Sequence, residues 1–149
     1  MSFTAYSDVA RLLGIPSPTR SGADVSPLRL IERIEGGLPV ESLLRIANSL
    51  APNDIKFIYN VVPRATLNRR KAQSGNKLSA DEGAKVTRIA RVWSAAVDVW
   101  GSEESARAFL FRPHAMLEDK RPIDLVIQNE LGAEMVLDIL GRLKYGSAA

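Results

Sequence analysis

The chain has 149 residues, of which 46% are hydrophobic and 25% charged, and its formal net charge is +3 at pH 7. This length and apolar content suffice for the core of one or two small globular domains. Because there is no cysteine and only one histidine, disulfides, thiol nucleophiles, cysteine zinc sites and histidine metal clusters are excluded. We expect neither a metal nor a cofactor. Since the first residues lack a basic start followed by an apolar run, we expect a cytoplasmic protein that does not contact a membrane.

Residues 1–37 are predicted to form an accessory region with two short helices. The inner side of the first helix is marked by Val9, Leu12 and Leu13. The second is predicted to begin at Ser26-Pro27, because serine accepts a hydrogen bond from a free backbone amide and proline is tolerated in a first turn. Gly36-Gly37 should end it. The residues expected to form its buried stripe are Leu28, Ile31 and Ile34.

Residues 38–78 have the organisation of a helix-turn-helix unit, with three short helical segments that each begin at a proline. These prolines are Pro39, Pro52 and Pro63. In the second segment Ile55, Ile58 and Tyr59 are expected to pack inward. The third segment has one clear apolar anchor, Leu67, and is otherwise polar or basic. It is therefore predicted to expose most of its surface.

The positive charge of the chain is concentrated around this third segment. Residues 60–91 carry eight basic and two acidic side chains, which favours contact with a polyanion. A solvated charged face is the alternative interpretation. The residues predicted to bind double-stranded DNA are Arg64, Thr66, Asn68, Arg69, Arg70, Lys71 and Lys77.

Residues 79–149 are predicted to form a long connecting helix followed by a small C-terminal helical domain. Ser79 and Glu82 make a capping box, and Gly101 should end the long helix. Both tryptophans, Trp93 and Trp100, lie on its apolar stripe and are expected to be core or interface anchors. Because no segment has the alternating pattern of a half-buried strand, the predicted fold is all-α.

The later helices are delimited by prolines, glycine and caps. Ser102 is predicted to cap a helix that Arg112-Pro113 stops, and Pro122 is predicted to start a short one. Gly132 should mark a break before the last helix, which runs from Ala133. The apolar stripe of that helix is expected to be Val136, Ile139, Leu140 and Leu143.

No arrangement of residues indicates catalysis. His114 has no serine or paired acid at a suitable spacing, so we expect a capping or surface group. Gly36-Gly37 and Gly132 stand apart from one another and do not form a phosphate-binding loop. The protein is therefore not expected to be an enzyme.

The C-terminal part carries a spaced set of residues: Arg112-Pro113-His114, Leu117, Arg121-Pro122-Ile123-Asp124-Leu125, Leu131-Gly132-Ala133, Val136, Leu140-Gly141-Arg142-Leu143 and Gly146. In this pattern the chain resembles the toxin-binding domain of the Xre/MbcA/ParS antitoxins. Family members usually carry a glycine in the loop where this chain has Asp119-Lys120-Arg121. The resemblance implies a type II antitoxin that binds a RES-domain, NAD-consuming toxin and its own promoter. A homodimer is expected, because one such helix covers only half of a two-fold operator.

In this family the C-terminal region covers the active site of the toxin. The resemblance therefore implies that the end of the chain inhibits the toxin. The predicted toxin-binding residues are Arg142, Lys144, Tyr145, Gly146, Ser147, Ala148 and Ala149. The alternative is a stand-alone helix-turn-helix transcription regulator whose C-terminal module dimerises or senses a small ligand, and a neighbouring gene for a RES-type protein would argue against it.

Overall fold

The computed structural model describes residues 6–16 and 26–146, and within these ranges the secondary structure is helical with no β-strand. The helices are α1 (Tyr6–Leu12), α2 (Pro27–Gly36), α3 (Val40–Leu50), α4 (Ile58–Val61), α5 (Arg64–Ala72), α6 (Ala80–Trp100), α7 (Glu103–Phe111), α8 (Pro122–Gln128) and α9 (Glu130–Tyr145). A 3₁₀ turn at Ala115–Leu117 lies between α7 and α8. The all-α prediction is confirmed.

The long helix α6 is the element against which most of the others pack. It contacts α1, α2 and α3 on the N-terminal side of the molecule and α7, α8 and α9 on the C-terminal side. The predicted capping box starts it, since the Ser79 hydroxyl accepts from the Glu82 amide and the Glu82 carboxylate accepts from the Ser79 amide at 2.8 Å. Gly101, in the left-handed conformation, ends it. Trp93 is buried, whereas Trp100 is half exposed against the ring of Phe109.

Helix α2 is capped by Ser26 as predicted, but it buries a different face from the predicted one. Leu30 is the buried residue, and Leu28 is 71% exposed. Ile31 is also exposed, and Ile34 is partly buried against the core. The helix therefore docks along Leu30 and Ile34, four residues apart. Three apolar residues at three-residue steps did not determine which side would meet α6.

The second segment of the helix-turn-helix unit also differs from the prediction. The Asp54 carboxylate accepts a hydrogen bond from the Lys56 amide, which bends the chain so that the residues after Pro52 form turns. Helix α4 begins only at Ile58, and Ile55 is 86% exposed. Phe57 takes the buried position instead and packs edge-on against the ring of Phe111.

Helix α9 begins three residues earlier than predicted. Asn129 caps it by accepting from the Gly132 amide at 2.9 Å, so Gly132 lies within the first turn and does not break the helix. Val136 and Leu140 are buried as expected, but Leu143 is exposed. The predicted apolar stripe of α9 is therefore covered at Val136 and Leu140 but not at Leu143, near the end of the helix.

Candidate nucleic-acid interface and C-terminal surface

Helix α5 has the polar surface that the sequence predicted. It follows the extended residue Pro63, and its one buried side chain, Leu67, faces the core beside α3. The remaining side chains of α5 are exposed or half-buried. The predicted DNA-binding residues on its exposed surface are Arg64, Asn68, Arg69 and Lys71, and Thr66 is half-buried beside them.

Arg64 is held at the start of α5 by an aromatic neighbour. Its guanidinium carbon lies 4.1 Å from the centroid of the Tyr59 ring, within the range of a cation–π contact. Tyr59 belongs to the preceding helix α4 and is half-buried. The contact orders a long side chain next to the amino end of α5 while its charge stays exposed.

Arg70 differs from the other basic residues of α5 because its charge is used inside the fold. Its Nε and Nη2 atoms lie 3.0 and 3.3 Å from the two carboxylate oxygens of Glu82, and both side chains are mostly buried. Burial raises the pKa of Glu82, but the hydrogen bonds from Arg70 and from Ser79 outweigh it, so this pKa lies below its usual value. Arg70 thus fixes α5 to the start of α6.

Lys77 lies in the loop between α5 and α6, where the backbone is tied to the start of α3. The Leu78 amide donates to the Leu38 carbonyl at 2.8 Å, and the Val40 amide donates to the Asn76 carbonyl at 3.0 Å. The side chain of Lys77 is exposed. It therefore adds a positive charge at a fixed backbone position beside the helix-turn-helix unit.

Half of the eight basic side chains in residues 60–91 stabilise the fold. Besides Arg70, Lys85 donates to the Val61 carbonyl, Arg88 donates to the carbonyls of Val126 and Ile127 at 2.7 and 2.9 Å, and Arg91 pairs with Glu130. Burial lowers the pKa of Arg88, and Glu130 opposes this shift. The other four make no ion pair within residues 6–16 and 26–146: Arg64, Arg69, Lys71 and Lys77. Among residues 60–91, the positive charge available to a partner therefore lies on and beside α5.

At the C-terminal end, α9 runs parallel to α6. Glu130 and Glu134 near its start pair with Arg91, and Lys144 near its end hydrogen-bonds Asp98. This hydrogen bond raises the pKa of Lys144. The end of α9 therefore lies next to the last turn of α6, where Trp100 is half exposed.

The predicted toxin-binding residues lie at this end of the module or beyond it. Arg142 pairs with Asp138 at 2.8 Å, so it and Lys144 are both engaged by carboxylates of the same chain. Tyr145 is exposed, and Gly146 has a positive φ of 84°. The remaining residues, Ser147, Ala148 and Ala149, lie outside the described part of the chain.

The structure also reveals exposed apolar residues that the sequence interpretation missed. Leu131 and Met135 on α9 are 68% and 43% exposed. Together with Ile139 and Leu143 they repeat at four-residue steps, beside the buried row. This second apolar row could have been recognised from the sequence, because one side of a helix cannot bury both rows against the same core.

The described residues contain no group of three potential metal ligands, and none of their helices is long and apolar enough to cross a membrane. His114 lies with its Nε2 atom 3.0 Å from the Phe109 carbonyl oxygen, near the end of α7. In the following loop, Glu118 and Asp119 have positive φ values of 55° and 64°. These left-handed positions lie in the loop where family members usually have a glycine.

Comparison with known proteins gives two family matches that adjoin inside α6. Residues 29–91 match the antitoxin Xre-like helix-turn-helix domain, and residues 95–146 match the antitoxin Xre/MbcA/ParS C-terminal toxin-binding domain. The chain is 33% identical over 86 residues to a protein named Antitoxin Xre from Yersinia enterocolitica, with 57% of each chain covered. It is 29% identical over 139 residues to an Antitoxin Xre from Photorhabdus laumondii, which covers 91% of this chain and 87% of that protein.

Proposed function

Because the chain belongs to the Xre/MbcA/ParS antitoxin family, we propose that it is the antitoxin of a type II pair whose toxin is a RES-domain protein that consumes NAD. It neutralises the toxin through the C-terminal module and represses its own operon through the helix-turn-helix unit. One observation carries this proposal. Matches to a DNA-binding domain and to a toxin-binding domain occur in one chain, and α6 contributes to both.

For DNA binding, α5 enters the major groove and presents the exposed side chains already described. Arg64, Asn68, Arg69 and Lys71 contact phosphates and base edges, with Thr66 beside them and Lys77 as an additional phosphate contact. Arg70 is a positioning residue because Glu82 binds its guanidinium. A homodimer is part of the proposal, since one such helix covers half of a two-fold operator.

For neutralisation, residues Tyr145 to Ala149 enter the NAD-binding pocket of the toxin and α9 serves as their platform. Small side chains need little width, and Tyr145 adds an aromatic ring with a hydroxyl. Support comes from the end of α9, where Leu143, Tyr145 and the neighbouring Trp100 are all at least partly exposed. A partner at this end would cover these apolar groups.

The test separates the two activities with two variants of the full-length chain. The RES-domain protein that we expect a neighbouring gene to encode is expressed alone and with each variant, and cell growth and NAD are measured. A chain that ends at Lys144 should bind promoter DNA as before, because Tyr145, the one side chain removed within the described residues, is 60% exposed. It should fail to restore growth, because the residues proposed to enter the toxin pocket are missing. Arg69→Ala should restore growth but bind the promoter more weakly.

Two results would contradict the proposal in different ways. Full neutralisation by the shortened chain would show that inhibition does not use the tail. If the intact chain bound its promoter but protected no cell and no such neighbouring gene existed, the protein would be a stand-alone regulator.

A further inference from the structure

Helix α9 has two apolar rows, but the fold covers only one of them. Ala133, Val136 and Leu140 are fully buried, on the side where α9 contacts α6 and α8. The second row, which we call the α9 row, consists of Leu131, Met135, Ile139 and Leu143. Three of its members are exposed and Ile139 is half-buried. Four large apolar side chains aligned along one helix are typical of a surface that another protein covers.

Acidic side chains border the α9 row along much of its length. Glu130, Glu134 and Asp138 precede row members by one residue, and their side chains are 58%, 59% and 62% exposed. Arg91 pairs with the first two and Arg142 with the third. These ion pairs limit the side-chain positions but leave the carboxylates accessible. A complementary partner would therefore offer an apolar groove with basic groups at its edge.

The location of the α9 row within the chain favours the toxin as the partner. All four residues lie within 95–146, the part that matches a toxin-binding domain. The row also runs toward the tail, since Leu143 is followed two residues later by Tyr145. A toxin whose active site received the tail would therefore lie next to the row.

We propose that the α9 row is the docking surface for the toxin and supplies most of the binding energy, whereas the tail supplies the inhibition. This inference rests on the proposed function and assigns separate roles to two parts of the same module. Helix-in-groove recognition uses a row of apolar anchors of this kind. Binding of the toxin should then survive removal of the tail, and inhibition should not.

The experiment measures binding and inhibition separately with purified full-length proteins. The probe is the RES-domain protein that we expect a neighbouring gene to encode. A catalytically inactive variant of it is used to measure binding, and the active protein is used to measure NAD consumption. The docking variant is the double substitution Leu131→Glu and Met135→Glu. Leu28→Glu on α2 is the matched control, because Leu28 is 71% exposed, close to the 68% of Leu131, but lies outside the toxin-binding match.

The docking variant should bind the probe at least about 30-fold more weakly, the effect expected on losing an anchor of an interface. Its unfolding midpoint and its affinity for promoter DNA should match those of Leu28→Glu. A chain that ends at Lys144 should bind the probe within about threefold of wild type, a small free-energy change, but no longer inhibit NAD consumption.

Each alternative result has a distinct meaning. Wild-type affinity of the docking variant for the toxin would show that the α9 row is not the docking surface, while the proposed function would stand. If the docking variant bound the toxin normally but changed from dimer to monomer in light scattering, the toxin-docking assignment would also be refuted. A second copy of the chain would then be the partner that covers the α9 row. If the intact chain itself did not bind the toxin, the proposed function would fail together with the row.

Discussion

Replacing Gly132 by alanine should separate α8 from α9, although the same change stabilises most helices. A Cβ atom added at this position would lie 2.0 Å from the Leu125 carbonyl oxygen and 2.6 Å from its carbon. These atoms belong to the backbone, so no side-chain rotation can relieve the overlap. The two helices would have to move apart by more than an ångström at their closest approach.

Two opposing effects determine the size of the change. Alanine in a helix gains up to about 1 kcal/mol over glycine. Overpacking of a rigid contact costs about 1–3 kcal/mol and sometimes more, and an overlap with backbone belongs at the upper end. We expect Gly132→Ala to lower the free energy of unfolding by about 2–3 kcal/mol, which for a chain of this size corresponds to a fall of about 5–10 °C in Tm.

Gly83 provides a matched control because it is also a buried glycine within a helix. Its added Cβ would lie 3.5 Å from the nearest atoms of Ile34 and Leu38, which is ordinary van der Waals contact. Gly83→Ala should therefore be neutral or slightly stabilising. Both variants are compared with wild type by chemical denaturation and by calorimetry. Equal stability of Gly132→Ala and Gly83→Ala would refute the close-approach argument.

Two further predictions concern the ionic contacts of α5 and α6. Arg69→Ala should weaken promoter binding and reduce the slope of log affinity against log salt by about one, which fluorescence anisotropy would measure. Arg70→Ala should leave that slope unchanged and lower the free energy of unfolding by about 1–3 kcal/mol, which denaturation would measure. Because the folded-state pKa of Glu82 is lowered, its ionised form stabilises the fold above the unfolded value near 4.5, and this contribution is lost as the pH falls toward the folded pKa. Glu82→Gln should therefore flatten the fall of stability below about pH 4.5 in acid titrations, and an unchanged pH dependence would contradict it.

Several helix ends could be predicted from the sequence because their determinants are local, whereas the start predicted at Pro52 was wrong. The capping box at Ser79 and Glu82 and the prolines at 63 and 122 act within one turn of the helix that they start. The cap at Asn129 is equally local but was missed, because Gly132 was interpreted as a break. A glycine in a first turn can instead permit close packing. To recognise this role, one must know which backbone segment lies opposite the glycine.

Contacts between distant parts of the chain could not be predicted in this way. Arg70 and Glu82 are 12 residues apart, and Arg88 reaches carbonyls 38 and 39 residues away. A count of basic residues therefore predicted a charged region correctly but could not separate groups that stabilise the fold from groups that remain available. The same limit applies to the prediction of buried helix faces. The sequence identified apolar residues on α2 and α9 but not which side α6 covers.

The polar contacts of α6 explain how one chain can present two partners with separate surfaces. Glu82 and Arg91 are nine residues apart, which corresponds to about 14 Å along the helix and a rotation of about 180° around it. Glu82 binds α5 through Arg70, and Arg91 binds the start of α9 through Glu130. The proposed DNA-reading helix and the proposed toxin-docking helix are thus attached to opposite sides of one rigid element. Under the proposed function, toxin on α9 need not displace α5 from DNA, so an antitoxin occupied by its toxin would remain able to bind the promoter.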